Sequence, residues 1–175
     1  HARTVTDLDI LAVRFTGAGH DVVRGHRGQP LGDHVWVTDP VLRSPSDRPD
    51  MIVGEAKEGA ARFNAAMRDP AVLEVALTRF GCCPREHVRA VTQQLLARDD
   101  ADTPGGHRIR MVAFGDMRDN EPRPGGATVV PMRHVVQFLQ EYLREHWNVV
   151  RHTQIRDPAL SVLALIEKWG VPPER

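Results

Sequence analysis

Two rhythms of apolar positions alternate along this chain. Unbroken short runs mark buried strands: residues 8 to 15, closing at Thr16-Gly17-Ala18-Gly19; Met51 to Lys57, after a Pro-rich loop from Leu42 to Asp50 and ended by Glu58-Gly59; and Arg108 to Phe114, after Thr103-Pro-Gly-Gly106. Shorter strands are predicted at His34 to Thr38, between Gly32-Asp33 and Asp39-Pro40, and at Thr128 to Val130, after a loop from Pro122 to Gly126. After Gly59 the period lengthens. The alanine-rich residues 60 to 68 are expected to be helical, carrying Arg62 and Arg68, and Asp69-Pro70 then supplies an N-cap and an N1 proline for a helix over Ala71 to Phe80, stopped by Gly81. Pro84 opens another helix to about Ala97, with Val88, Val91, Leu95 and Leu96 on one face. In the last third, Val135, Val136, Leu139, Tyr142 and Leu143 recur at helical spacing, and a final helix follows Asp157-Pro158 with Leu160, Val162, Leu163 and Leu165 before Gly170.

The order is strand, insertion with a strand or two, strand, helices, strand, helices, which predicts an α/β mixed sheet flanked by helices. A core over about residues 5–130 with C-terminal helices over about 131–170 fits one domain of 175 residues. A chain of this size buries enough surface to fold without disulfides or metal. No apolar run is long enough to span a bilayer, and the first residues carry no secretory pattern, so a cytoplasmic setting is expected.

Charge narrows the partners less than usual. With 23 Lys+Arg against 23 Asp+Glu, no wholesale basic field exists, and any phosphate-binding surface has to be local. Lys57 and Lys168 are the only lysines; every other basic residue is arginine. Cys82 and Cys83 are adjacent and lack a second spaced pair, so they frame no zinc site, and Cys83 with His87 reads as packing. The remaining histidines show no ligand spacing. Whether His134, His146 and Trp147 line a cleft or cover the core stays open.

Chemistry concentrates in Pro49-Asp50-Met-Ile-Val-Gly-Glu55-Ala56-Lys57. Alternation places Ile52 and Ala56 on one face of this strand and Met51, Val53, Glu55 and Lys57 on the other. A carboxylate and an ammonium therefore sit together at the end of an otherwise buried strand, where charges need pairing, a metal or solvent. A plain salt bridge is one reading. The other is a phosphodiester-hydrolysing site, which needs carboxylates to hold a divalent cation and positive charge near the developing phosphorane oxygens. A second carboxylate has to come from elsewhere. Asp50 fails, because five residues span roughly 16 Å of strand and odd spacing puts it on the opposite face. Asp9 opens the first strand, and if that strand pairs antiparallel with the third, its start lies beside Glu55. Asp7 shares the face of Asp9, and Asp33 is the competitor.

At these residues the chain resembles the PD-(D/E)xK nuclease superfamily, with its restriction-endonuclease-like fold: Asp9 within Thr6-Asp7-Leu8-Asp9-Ile10-Leu11-Ala12, then Glu55-Ala56-Lys57 at the end of an apolar strand, then helix and strand. The resemblance covers roughly residues 5 to 115. It implies that Asp9 and Glu55 bind Mg²⁺, or Mn²⁺, with the Ala56 carbonyl, and that Lys57 orients or activates the attacking water. The implied activity is metal-dependent hydrolysis of nucleic acid, DNA rather than RNA, in a bacterial defence or repair system. The arginine-rich composition suits a GC-rich bacterial genome.

Two departures stand out: a long gap between Asp9 and Glu55, filled by residues 16 to 50, and the short stretch before Asp9, where the family core has a helix and a strand. The second suggests further native residues upstream of His1, or a second subunit or partner protein that completes the core. Substrate grip is expected from local arginines, Arg24, Arg27, Arg43 and Arg48 in the insertion together with Arg62 and Arg68. The alternative functions are a catalytically inactive nucleic-acid-binding or assembly module of the same fold, and a protein-interaction domain in which Glu55 and Lys57 merely pair.

Overall fold

The computed structural model describes residues 8–24, 30–35, 38–116, 127–147 and 158–169. Its elements are β1 (Ile10–Arg14), β2 (His20–Arg24), β3 (Pro30–Val35), β4 (Asp50–Ala60), a 3-10 turn (Ala66–Arg68), α1 (Pro70–Phe80), α2 (Arg85–Arg98), β5 (Asp100–Asp102), β6 (Arg108–Asp116), β7 (Thr128–Val130), α3 (Met132–Glu145) and α4 (Pro158–Trp169). Contacts divide the chain into two compact units, His1–Ala18 with Pro40–Met132, and Gly19–Asp39 with Arg133–Arg175. Gly19–Asp39 thus groups with the C-terminal helices, not with the sheet.

The first unit is an α/β layer. Its five-stranded sheet has the order β1-β4-β6-β5, with β7 also on β6. β4 and β6 run parallel, as do β6 and β7, whereas β1 on β4 and β5 on β6 are antiparallel. A parallel β4–β6 pair requires a crossover, and α1 with α2 provides it. Met51 and Val53 on β4, and Ile109 and Met111 beside them on β6, form a buried core with Met67, Leu73, Leu77, Val88, Val91 and Leu95. This is the face that also carries Glu55.

Local signals account for the helix ends. The Asp69 carboxylate accepts from the Ala71 N–H at 2.8 Å, and Gly81, at φ 62°, donates its N–H to the Leu77 and Thr78 carbonyls. α2 stops without glycine. Asp99 takes the left-handed conformation at φ 60° and is held by Arg68, whose Nη1 lies 2.7 Å from Oδ1.

Three expectations change. Residues 60 to 65 are not helical, because β4 continues to Ala60 and the Ala61 N–H donates to the Asp116 carbonyl at 2.9 Å. β6 comes so close there that a Cβ on Gly115 would lie 2.7 Å from the Gly59 oxygen, and the alanine-rich stretch yields just the 3-10 turn. In the insertion, where a strand over His34 to Thr38 is expected, the strand already begins at Pro30 and is described to Val35, and Thr38 is not in a strand; it pairs antiparallel with β2, which the apolar pattern did not announce, and Gly32-Asp33 lies inside it rather than bounding it. Trp36 and Val37 lie outside the described residues. Finally, Asp100–Asp102 forms a short strand on β6 where a polar sequence gave no strand signal.

In the second unit, β2 and β3 form a hairpin, and α3 and α4 share a small core of Tyr142, Leu143 and Ala164, with Trp147, Leu160 and Leu163 packed against it. His134, Phe138, Tyr142 and His146 follow one another at four-residue spacing with adjoining rings, and His134 Nε2 lies 2.9 Å from both Asp39 oxygens. Trp147 therefore covers core, and both histidines have partners within the unit. Among the described residues, no helix is long and apolar enough to cross a membrane.

Candidate active site

The antiparallel register of β1 on β4 decides which acid reaches Glu55. Ile10 lies opposite Gly54, so the residue before β1, Asp9, arrives at the level of Glu55. Its Oδ2 accepts a hydrogen bond from the Ala56 N–H at 2.9 Å, across 47 positions of sequence. Asp9 is exposed, whereas Glu55 is only 1% exposed. The two carboxylates thus occupy one strand end in different dielectric settings, one facing solvent and one enclosed.

Burying a carboxylate is unfavourable unless its oxygens are partnered. Glu55 has two partners. Lys57, two residues along the same face, forms an ion pair with Oε1, and its side chain is 34% exposed. The Asn64 amide donates to Oε1 at 2.9 Å and to Oε2 at 2.8 Å, while Asn64 Oδ1 accepts from the Met67 N–H at 2.9 Å. Asn64 thereby links the Glu55 carboxylate to the turn that leads into α1. On the other side, β6 places the small Ala113 opposite Glu55.

The remaining acids separate cleanly. Asp50 lies at the far end of β4 on the opposite face, and Arg110 binds it through Nε to Oδ1 at 2.9 Å and Nη2 to Oδ2 at 2.6 Å. The same guanidinium donates to the Ser44 hydroxyl at 3.1 Å and to the Leu42 carbonyl, so this buried pair ties the Pro-rich loop to β6. Asp33 lies on β3, opposite Val22, and belongs to the second unit. Asp7 lies outside the described residues.

The arginines also sort themselves. Arg68 is committed to structure: beyond its Asp99 partner it donates to the Leu96 carbonyl at 3.5 Å and lies 4.9 Å from the centre of the Phe63 ring. Arg48 pairs with Asp102 at 2.8 Å. Arg43 occupies a turn at φ 46°. Arg62 is exposed, two residues before Asn64, in irregular chain and not on a helix. Arg24 ends β2, and Arg27 lies outside the described residues.

No family model, curated protein or solved structure matches the chain. The site is therefore argued from its donors. Among the described residues, no group of three or more His, Cys, Asp or Glu side chains could hold a metal ion. Two carboxylates and a backbone carbonyl are nevertheless the hard oxygen donors that suit Mg²⁺ or Mn²⁺, which keep several waters of their own. A carboxylate offers about four lone-pair positions. Asn64 and Lys57 together take three of those on Glu55, and Asp9 spends one on Ala56, so the set retains capacity for a cation.

The cysteines lie apart from this chemistry. Both are free, with their sulfurs 3.9 Å apart, and burial pushes the Cys82 thiol up to about 12. His87 is exposed on α2.

Proposed function

We propose that this chain is a metal-dependent nuclease that hydrolyses phosphodiester bonds, of DNA rather than RNA, through Asp9, Glu55 and Lys57. The observation that carries the reading is the hydrogen bond from the Ala56 N–H to Asp9, which joins a strand-initial aspartate to the Glu55-Ala56-Lys57 segment. In this reading Asp9, Glu55 and the Ala56 carbonyl hold Mg²⁺ or Mn²⁺. Such a cation would supply Lewis acidity beside the phosphate.

The chain's own groups do the rest. Asp9, at the exposed rim, meets solvent and substrate, while Glu55 is held in one orientation by Asn64 and Lys57. The Lys57 ammonium places a compact positive charge beside the carboxylates, where it offsets charge accumulating on the phosphate oxygens as water adds to phosphorus and the sugar oxygen leaves with a proton.

A second reading, an inactive nucleic-acid-binding or assembly module of the same fold, draws on the engagement of both Glu55 oxygens by Asn64. Plasmid and single-stranded DNA cleavage with Mg²⁺ or Mn²⁺ separates the two. Cleavage by the intact chain, lost in Asp9→Ala and in Lys57→Ala with circular dichroism unchanged and kept in Asp33→Ala, is the expected result. Binding of Mn²⁺ followed by paramagnetic resonance, with loss in Asp9→Ala, gives a readout independent of turnover. DNA binding without cleavage or Mn²⁺ uptake would hand the site to the second reading.

A further inference from the structure

The helical hairpin above the sheet carries a second surface that uses none of Asp9, Glu55 or Lys57. Between α1 and α2 lies an open groove of about 540 Å³. Its floor is apolar, formed by Ala71, Val75 and Val88, and its rim is basic, with Arg79 on the α1 wall and Arg85 and Arg89 on the α2 wall. All three arginines are exposed. Arg85 and Arg89 are four residues apart and project from one face of α2. Among the described residues, none of the three has an ion-pair partner, in contrast to Arg48, Arg68, Arg108 and Arg110, which each hold an aspartate. Glu74 is the one acid that lines the groove.

Three exposed arginines against one glutamate, Glu74 on the α1 wall, give the groove a net positive rim around its apolar floor, and that defines a complement. A phosphate backbone would satisfy the arginines but leave the half-buried Val75 and the exposed Ala71 uncovered, because nucleic-acid backbones are recognised through charge. An amphipathic helix satisfies both, laying an apolar stripe on the floor and carboxylates against each wall. We propose that the α1–α2 groove docks an acidic amphipathic helix of a protein partner, with Glu or Asp on both flanks of its apolar stripe facing Arg79 on one side and Arg85 and Arg89 on the other.

The test uses the full chain and two labelled synthetic helices of about three turns, identical in their leucine stripe but flanked by glutamate in one and lysine in the other. Fluorescence anisotropy should show saturable binding of the glutamate peptide and none of the lysine peptide. Arg85→Glu with Arg89→Glu should weaken the glutamate peptide by at least about tenfold and admit the lysine peptide, because reversing exposed charges changes partner choice. Val75→Ser, which leaves all three arginines in place, should also weaken binding; circular dichroism and the thermal midpoint of these variants should match the parent. Absence of binding to the glutamate peptide, or binding indifferent to the arginine reversal, would overturn the proposal. Two other results would also overturn it: a 20-base-pair duplex that binds with the same arginine dependence, which would make the groove a phosphate surface, or an arginine-dependent dimer in sedimentation without peptide, which would give it to a second copy.

Discussion

Glu55 is a charged group enclosed in protein, and its stability is set by two side chains, Lys57 and Asn64. Removing the amide takes a donor from both oxygens and leaves Oε2 without its hydrogen bond, which costs about 1–3 kcal/mol. Asn64→Ala should therefore lower the unfolding free energy measured in urea by that amount, and Asn64→Asp, which sets a carboxylate against a buried carboxylate, should lower it further; equal effects would show that charge at this site is solvated. The two thiols provide a second residue-scale check. Cys82 is 2% exposed with its thiol pushed up to about 12, chiefly by burial, whereas Cys83 is partly accessible, so a thiol-specific chromophore should titrate one cysteine quickly and the other only on unfolding. Asp9, Glu55 and Lys57 were legible in the sequence because strand parity and one antiparallel pairing suffice to bring them together. Asn64 was not. It sits in irregular chain between β4 and α1, where no period specifies direction, and its sole signal was being the only asparagine before residue 120 in a stretch otherwise rich in alanine.

At the scale of elements, β4 and β6 are joined at both ends by devices that hydrophobic pattern does not encode. At one end Arg110 on β6 binds Asp50 on β4 and the loop atoms of Leu42 and Ser44. Removing one member of a buried ion pair strands the other charge, so Arg110→Ala should destabilise by about 3–5 kcal/mol. Arg110→Met combined with Asp50→Leu should recover much of that loss in chemical denaturation, since it removes both charges. At the other end the strands close on Gly115, where an added Cβ would meet backbone atoms of Gly59 and Ala61 within 3 Å. Backbone cannot swing aside as a side chain does, and Gly115→Ala should cost about 1–3 kcal/mol. The end of β4 differs from the sequence expectation for a related reason: Gly59 resembles a terminator in sequence, yet the strand runs past it, because Gly115 on β6 leaves room for the backbone of Gly59 and Ala61. The helix caps at Asp69 and Gly81 were legible, because capping is chemistry between near neighbours.

For the molecule as a whole, the two units differ in how much core they own. Among the described residues, the first buries twelve in one cluster that spans sheet and helices, and the second buries Tyr142, Leu143 and Ala164. Regions with fewer buried contacts open at lower free energy. Hydrogen exchange should therefore be faster in peptides covering 133–147 and 158–169 than in those covering 50–60 and 108–116. The chain's single tyrosine reports on the smaller core directly. Burial pushes the Tyr142 phenol from 10.0 up to about 12, so between those values the folded unit keeps a proton that the unfolded chain has released. Stability from this group is complete below pH 10 and falls as pH rises toward 12, because the unfolded state then binds fewer protons than the native one. Absorbance at 295 nm should show a midpoint near 12 for as long as circular dichroism reports native helix, and near 10 in denaturant. A native chain that titrates at 10 would mean that the phenol is solvated and that α3 and α4 do not close over it.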